Sequence, residues 1–346
     1  MNRYNYFIGT QQIGVAYQFT TDPPLVEMAK RTSLLGMNIV KFKHNDPGAD
    51  IVIDQLNFKY HFIWFRSEGS TFINGMNSTV KQMEYSKTYE YTKSLLTKHN
   101  GSDKEFFLGN WEGDWYLIPQ MNPKLNADPV RITGMIDWIN TRQAAITKAR
   151  SDFQSTVKVY YYVEMNRVVD AMEKGMSRLV NYVLPMVKVD YISLSSYDFQ
   201  RTTLEYSMKV IDYIKERFIC LDQSVVDKTE RIIIGEFSRP LQEFKAMADP
   251  DKEYSLANLA ITKKYLQLGF KFILYWNFYN NEVNNNQQVG YHLIDYNNTK
   301  SLLYYAFSRY YKITRVYLWM YKRYHGTFPS ELTFRNFAIK TIDFIK

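Results

Sequence analysis

The chain has a single cysteine, Cys220, in 346 residues. One thiol excludes an intrachain disulfide and any multi-cysteine metal site. It fits a reducing compartment, and it does not exclude secretion of a protein with a good core. No window reaches 18 consecutive apolar residues, so no membrane span is expected. The first residues, MNRYNYFIGTQQIGV, lack the apolar centre of a signal peptide; the expectation is a cytoplasmic protein, or a secreted one whose signal has been removed. There is no Gly-rich phosphate loop of the Walker or dinucleotide type and no HExxH. No stretch is rich enough in Pro, Gly or Ser to mark a domain linker, which predicts a single domain over 1–346. Segregated charge is also missing. The 43 Lys and Arg outnumber 35 Asp and Glu and leave a net charge of +8, but the basic residues are spread and often stand beside acids, as in YIKERF and ITKKYL. A nucleic-acid protein would gather them, so no nucleic-acid partner is expected. The densest basic piece is YYKITRVYLWMYKRYHG near the C-terminus. It reads first as an amphipathic helix with a solvated face, and second as a contact for a polyanion or membrane surface.

What the chain does have is aromatic side chains: 29 Tyr, 22 Phe and 6 Trp. Tyrosine offers a flat apolar face with a hydroxyl at its rim, which suits both a core and a carbohydrate-like ligand. Short apolar, β-rich runs recur along the sequence. They are IGVAY (13–17), MNIVKF (37–42), YHFIWF (60–65), EFFLGN (105–110), VKVYYYV (157–163), VDYISLSSY (189–197), RIIIGEF (231–237) and FKFILYWN (270–277). Runs that are apolar throughout indicate strands buried on both faces, as in a parallel sheet covered by helices.

The intervening segments carry helical periodicity. DPVRITGMIDWINTRQAAITKAR opens with Asp128 as N-cap and Pro129 at the first helical position. TTDPPLVEMAKRTSLLG opens with Asp22-Pro23 and closes on Gly36. NRVVDAMEKGMSRLVNYVLPMV repeats apolar residues at steps of three and four until Pro185. Eight β-then-α units predict a single (β/α)8 barrel, with core strands over about 13–277 and C-terminal helices over about 300–346. The second unit, HNDPGADIVIDQLN, has room for only a short helix. An open doubly wound sheet is the alternative.

In such a barrel the chemistry lies at the C-terminal ends of the strands. The residues at the end of each run are therefore a test of function. Lys43 and His44 come after the second, Arg66 and Glu68 after the third, and Asn110, Trp111, Glu112 and Asp114 after the fourth. Glu164, Asn166 and Arg167 end the fifth, Tyr197 and Asp198 the sixth, Glu236 the seventh, and Trp276, Asn277 and Glu282 the eighth. Carboxylates and aromatics dominate. The His residues are too scattered for a metal site, and no cofactor is expected. Two carboxylates facing each other across a barrel mouth are what glycoside hydrolysis requires, one protonating the departing oxygen while the other attacks the anomeric carbon or activates water.

At these residues the chain resembles clan A of the retaining glycoside hydrolases, over roughly 13–300. The resemblance implies a (β/α)8 fold with an acid/base Glu on strand four and a nucleophile Glu on strand seven. It implies Glu112 as acid/base, Glu236 as nucleophile, Tyr197 as hydrogen-bond partner of the nucleophile, Trp276 as the floor of the subsite holding the cleaved sugar, and Asn110 as a contact near C2. Trp111, Trp115, Glu164, Asn277, Arg66 and His44 complete the expected carbohydrate-binding set. Two features depart from the clan pattern. Trp111 stands between Asn110 and Glu112, where the clan has Asn directly before Glu. The clan's arginine near the end of strand two has no counterpart in KFKHND, where Lys43, His44 or Arg66 would replace it. The sequence GNWEGDW raises the question of why acids should sit among indoles; the expected answer is a sugar cleft whose low polarity raises the pKa of Glu112. The rival reading is a glycan-binding or scaffold barrel without turnover.

Overall fold

A computed structural model describes residues 4–65 and 71–345. Eight parallel strands form the barrel: β1 (Ile8–Gln11), β2 (Ile39–Lys43), β3 (Tyr60–Trp64), β4 (Glu105–Gly109), β5 (Lys158–Met165), β6 (Tyr191–Ser195), β7 (Ile232–Phe237) and β8 (Ile273–Tyr275). They hydrogen-bond in the closed order β1-β8-β7-β6-β5-β4-β3-β2. The open-sheet alternative is thereby removed. The helices are α1 (Pro24–Leu35), α2 (Ala49–Gln55), α3 (Ser78–Lys98), α4 (Gly113–Leu117), α5 (Pro129–Asp152), α6 (Val168–Lys174), α7 (Leu204–Arg217), α8 (Pro250–Gln267), α9 (Leu302–His325) and α10 (Glu331–Phe344).

Seven of the eight runs fall on barrel strands, and the first does not. β1 is Ile8–Gln11 rather than 13–17. IGVAY lies in the loop beyond it, where the Ala16 N–H donates to Asn280 O at 3.0 Å. The helix read across 166–187 is also broken. Gly175, at φ 63°, closes α6 in the left-handed conformation, and a π turn at Leu179–Val183 and a 3-10 turn at Leu184–Met186 come next. The Asp128 cap is as expected, its carboxylate accepting from the Val130 and Arg131 N–H groups. Asp22 instead pairs with Lys30 at 2.7 Å, and Pro23 takes the N-cap of α1.

The chain clusters into two compact units, residues 1–61 with 236–346, and residues 62–235. In the first unit, β1 pairs β8 (Thr10 with Tyr275) and β2 (Thr10 with Val40, Gln11 with Lys41). The Tyr275 hydroxyl meets the Tyr254 hydroxyl on α8, and its ring packs edge-on to Phe307 on α9 at 5.9 Å. Since side chains alternate along a strand, this outward Tyr275 turns Leu274 and Trp276 the other way. By register, Thr10 and Val40 share its outward face, and Gln11 and Lys41 turn inward. Tyrosine serves the outer layer because its ring fills space while its hydroxyl satisfies backbone: Tyr310 donates to Tyr6 O at 2.8 Å and Tyr311 to Ile8 O. α10 closes the layer by stacking Phe337 on Tyr317 at 3.8 Å.

In the second unit, β4 pairs β5 from Glu105–Lys158 to Gly109–Tyr162, and β5 pairs β6 from Tyr162–Tyr191 to Met165–Leu194. The inner layer is aromatic, with Phe62 stacked on Phe107 at 4.4 Å and Tyr191 edge-on to Phe107 at 5.2 Å. Outside, α3 packs on α5 around buried Arg142. Its guanidinium pairs with Glu84, donates to Phe65 O at 2.6 Å and lies 4.0 Å from the Trp138 ring centre. A charge removed from water needs this much compensation.

Candidate active site

In the second unit the strand ends gather acids, and each acid has a different environment. The Asn110 amide clasps β4 to β5: its Nδ2 donates to Glu164 O and Trp111 O, each at 3.1 Å, and its Oδ1 accepts from the Glu164 N–H at 3.2 Å. Asn110 is 4% exposed, and its amide is spent on the backbone instead of being presented to a ligand. The added Trp111 is half-buried, edge-on to Trp64 at 6.4 Å and to Tyr116 at 6.0 Å.

Glu112 immediately precedes α4 and is buried, at 8% exposure. One turn on, the Trp115 indole N–H folds back and donates to Glu112 Oε2 at 2.7 Å. A helical step of three residues brings those groups together. With its amide turned to suit its neighbours, Asn166 also accepts from this N–H, at 2.8 Å. The indole therefore meets the acid through its one polar edge. The Arg167 guanidinium lies 5.6 Å from the same ring's centre, within cation–π range.

Asp114 has a different task. Its Oδ2 accepts from the Asn166 N–H at 2.9 Å and the Arg167 N–H at 3.2 Å, and its Oδ1 from the Leu179 N–H at 2.8 Å. Burial pushes its carboxyl up, and the three N–H donors oppose that shift. Asp114 ties the loops after β4, β5 and α6 into one wall. Glu164 is wholly buried and accepts from the Ser193 hydroxyl at 2.8 Å and the Ser195 hydroxyl at 3.4 Å. This contact explains the Gly in RIIIGEF: a Cβ on Gly235 would lie 1.8 Å from Ser193 Oγ and 2.5 Å from Glu164 Oε2.

Tyr197 is half-buried in the turn Ser196–Asp198 that ends β6. Beside it, Asp198 Oδ2 accepts from the Val169 N–H at 2.8 Å, while its Oδ1 is buried without a hydrogen-bond donor. Burial pushes the Asp198 carboxyl up from 3.8 to about 7, against the pull of that N–H and of Arg167, with the Asp114 charge adding to the rise.

The first unit carries the rest. Glu236 is the penultimate residue of β7, at 4% exposure, and the last, Phe237, packs edge-on to Tyr265 and Tyr275 of the outer layer. Trp276 comes just after β8 at 6% exposure; its backbone N–H donates to Phe237 O at 3.0 Å and its indole N–H to Glu282 Oε1 at 3.2 Å. The Trp276–Asn277 peptide is cis. Asn277 is wholly buried, its Nδ2 donating to Ile13 O and its Oδ1 accepting from the Phe278 N–H, each at 2.8 Å. Like Asn110, it is committed to the backbone. His44 is half-buried just past β2, with Nδ1 2.8 Å from Asn45 Oδ1. Arg66 lies outside the described residues. Among the described residues, no three His, Cys, Asp or Glu are grouped to hold a metal ion.

Lys41 was not among the expected site residues. It is wholly buried, inward-facing and paired in register with Gln11, the last residue of β1. The signal was a charge at an alternating position of IVKFK, where an apolar residue is the rule.

Three comparisons bear on this fold. No protein-family model matches the sequence, and no curated protein matches it by sequence. Solved structures do match. A β-glucuronidase 2 calcium-binding mutant from Bacteroides uniformis aligns over 88% of this chain and 34% of its own, with TM-score 0.54 and 12% identity. A GH2 β-galacturonidase from Eisenbergiella tayi bound to galacturonate aligns over 88% and 51%, with TM-score 0.53 and 12% identity. The GH53 catalytic domain of Ignisphaera aggregans aligns over 88% and 95%, with TM-score 0.50 and 11% identity. The chain thus spans a third to a half of the first two and nearly all of the third. These likenesses show the fold, a (β/α)8 barrel that this chain shares with those glycoside hydrolases.

Proposed function

We propose that this protein hydrolyses or transfers glycosides with retention of anomeric configuration, with Glu236 as nucleophile and Glu112 as acid/base. The observation that carries the reading is the setting of Glu112, a buried carboxyl at the end of β4 oriented by the Trp115 indole N–H at 2.7 Å. Glu236, buried at the end of β7, supplies the second carboxyl that the reaction needs, on the strand to which the resemblance to clan A assigns the nucleophile.

In the first step the Glu236 carboxylate attacks the anomeric carbon while Glu112 gives its proton to the departing oxygen. The glycosidic bond breaks as a glycosyl ester forms. In the second step Glu112, now a carboxylate, takes a proton from water, which displaces Glu236 from the sugar and restores both acids. Trp111, Trp115 and Trp276 offer faces for stacking on the apolar sides of sugar rings, and Tyr197 and His44 offer polar contacts. The sugars in the neighbours' names, glucuronides and galacturonate, are the first substrates to try.

The test is release of the aglycone from a panel of aryl glycosides, glucuronides and galacturonides over long incubation. Glu236→Gln keeps the shape of the side chain and removes its charge. It should melt like the parent and lose turnover by at least on the order of 10³-fold. Turnover within a few-fold of the parent places the nucleophile elsewhere. If the parent itself binds oligosaccharide and releases nothing, the barrel is a glycan-binding one.

A further inference from the structure

We propose that the exposed stripe of α9 docks this protein on an anionic lipid surface. α9 has no Asp or Glu in its 24 residues and carries Arg309, Lys312, Arg315, Lys322 and Arg323. Its buried side, including Phe307, Tyr310, Thr314 and Leu318, faces the barrel, and Tyr317 stacks under Phe337 of α10. The opposite side is left to solvent. There Val316 is 57% exposed, Trp319 57%, Met320 44% and Tyr324 79%, with exposed Lys312 and Arg323 among them. At 3.6 residues per turn, positions 312, 316, 319, 320, 323 and 324 fall on one continuous stripe. The inner face is already satisfied by the core, so folding gives no reason for these four apolar side chains to be where they are.

The chemistry of the stripe selects its occupant. Indole and phenol rings favour the boundary between headgroups and acyl chains, being apolar with one polar edge. Lys and Arg lay their methylene stems along the apolar surface and raise their charges to the phosphates. A stripe that is cationic and acid-free complements an anionic headgroup layer. It repels a second copy of itself, since like charges face each other across a two-fold contact. Nucleic acid would use the cations but leave Val316 and Met320 against phosphate without gain. Among the described residues no helix is long and apolar enough to cross a membrane, and the proposed contact is with the membrane surface. It is also independent of the proposed hydrolase chemistry.

The experiment is co-sedimentation of the full chain with vesicles of phosphatidylcholine alone and of phosphatidylcholine with phosphatidylglycerol, at low and high salt. Binding is expected to the mixed vesicles only, and to fall as salt rises. Lys312→Gln with Arg323→Gln should weaken it on the order of 30-fold, and Trp319→Ala should weaken it at either salt concentration. Both variants should melt like the parent, since these side chains are exposed, and Glu236→Gln should bind as the parent does. No binding to mixed vesicles at low salt overturns the proposal, as does unchanged binding by the double variant. Two further results also overturn it: a concentration-dependent dimer that Trp319→Ala dissolves, and binding to a duplex oligonucleotide that outcompetes the vesicles.

Discussion

Glu112 and Asp114 stand two residues apart and have opposite surroundings. Asp114 accepts three backbone N–H groups from two other loops, whereas Glu112 accepts an indole N–H from the short helix that it immediately precedes. A carboxylate that holds three loops together cannot swing to a leaving group without releasing them. Asp114→Ala should therefore act on stability, leaving three buried donors unmet at a cost of about 3 kcal/mol, read by urea denaturation. Glu112→Ala should act on catalysis. Natural glycosides should slow by on the order of 10²- to 10⁴-fold, while the first step on an aryl glycoside with a good leaving group is spared, because such a group departs unprotonated. Azide should restore the second step by entering the vacated space and attacking without a general base. Rescue of Asp114→Ala or Glu164→Ala, and not of Glu112→Ala, would move the acid. The two-residue difference was not legible in GNWEGDW, because the partners of Asp114 come from 166–179.

Asp198 gives a pH test at the same scale. Its folded carboxyl titrates at about 7 against an ordinary 3.8. The folded state therefore holds a proton that the unfolded chain releases between those values. The sign is that of a raised acid: its contribution to stability is fullest below 3.8, falls as pH rises to about 7, and changes little beyond. Asp198→Asn keeps an acceptor for the Val169 N–H and removes the titration. Tm measured from pH 4 to pH 8 should fall further in the parent than in this variant. Parallel curves would show that the carboxyl is solvated.

At the scale of elements, the strands that read clearly are those buried on both faces. EFFL and RIII need no partner to declare themselves, whereas β1 is misplaced by the sequence because IGTQ (8–11) carries the polar Thr10 and Gln11 and IGVAY just beyond it is the more apolar run. Strand ends were legible as places, not as contacts. Asn110 and Asn277 stand where a ligand contact was expected, yet each amide is used on backbone brought from elsewhere in the chain. The reason for a glycine at 235 in an apolar strand, the Ser193 hydroxyl held by Glu164, was not legible in the sequence. Gly235→Ala should cost about 1–3 kcal/mol by overpacking. Ser193→Ala in the same chain should recover part of that loss, because the closest clash is with the Ser193 oxygen. A double-mutant cycle in denaturant reads the coupling; additive effects would mean that Glu164 or the backbone carries the strain.

For the whole molecule the decisive quantity is the distance across the barrel mouth between the two proposed acids. The closed order of eight parallel strands brings every strand's C-terminal end to one rim, and the proposed function requires Glu112, after the fourth strand, and Glu236, on the seventh, to meet the same sugar. Glycoside hydrolysis then offers two geometries. A separation of ~5–5.5 Å leaves room only for direct attack, giving a covalent intermediate and retention. A separation of roughly 6.5–9.5 Å admits a water between base and sugar and gives inversion. The extra Trp111 bears on this choice, because it lengthens the connection from β4 to Glu112 by one residue and the Trp115 indole then fixes where the carboxyl comes to rest. Retention is the expected outcome, read by proton NMR of the first-formed sugar anomer before mutarotation and by transfer of the sugar to added methanol. A product of inverted configuration would keep both acids and exchange Glu236 from nucleophile to base. It would also mean that the added tryptophan had widened the site rather than been absorbed by it.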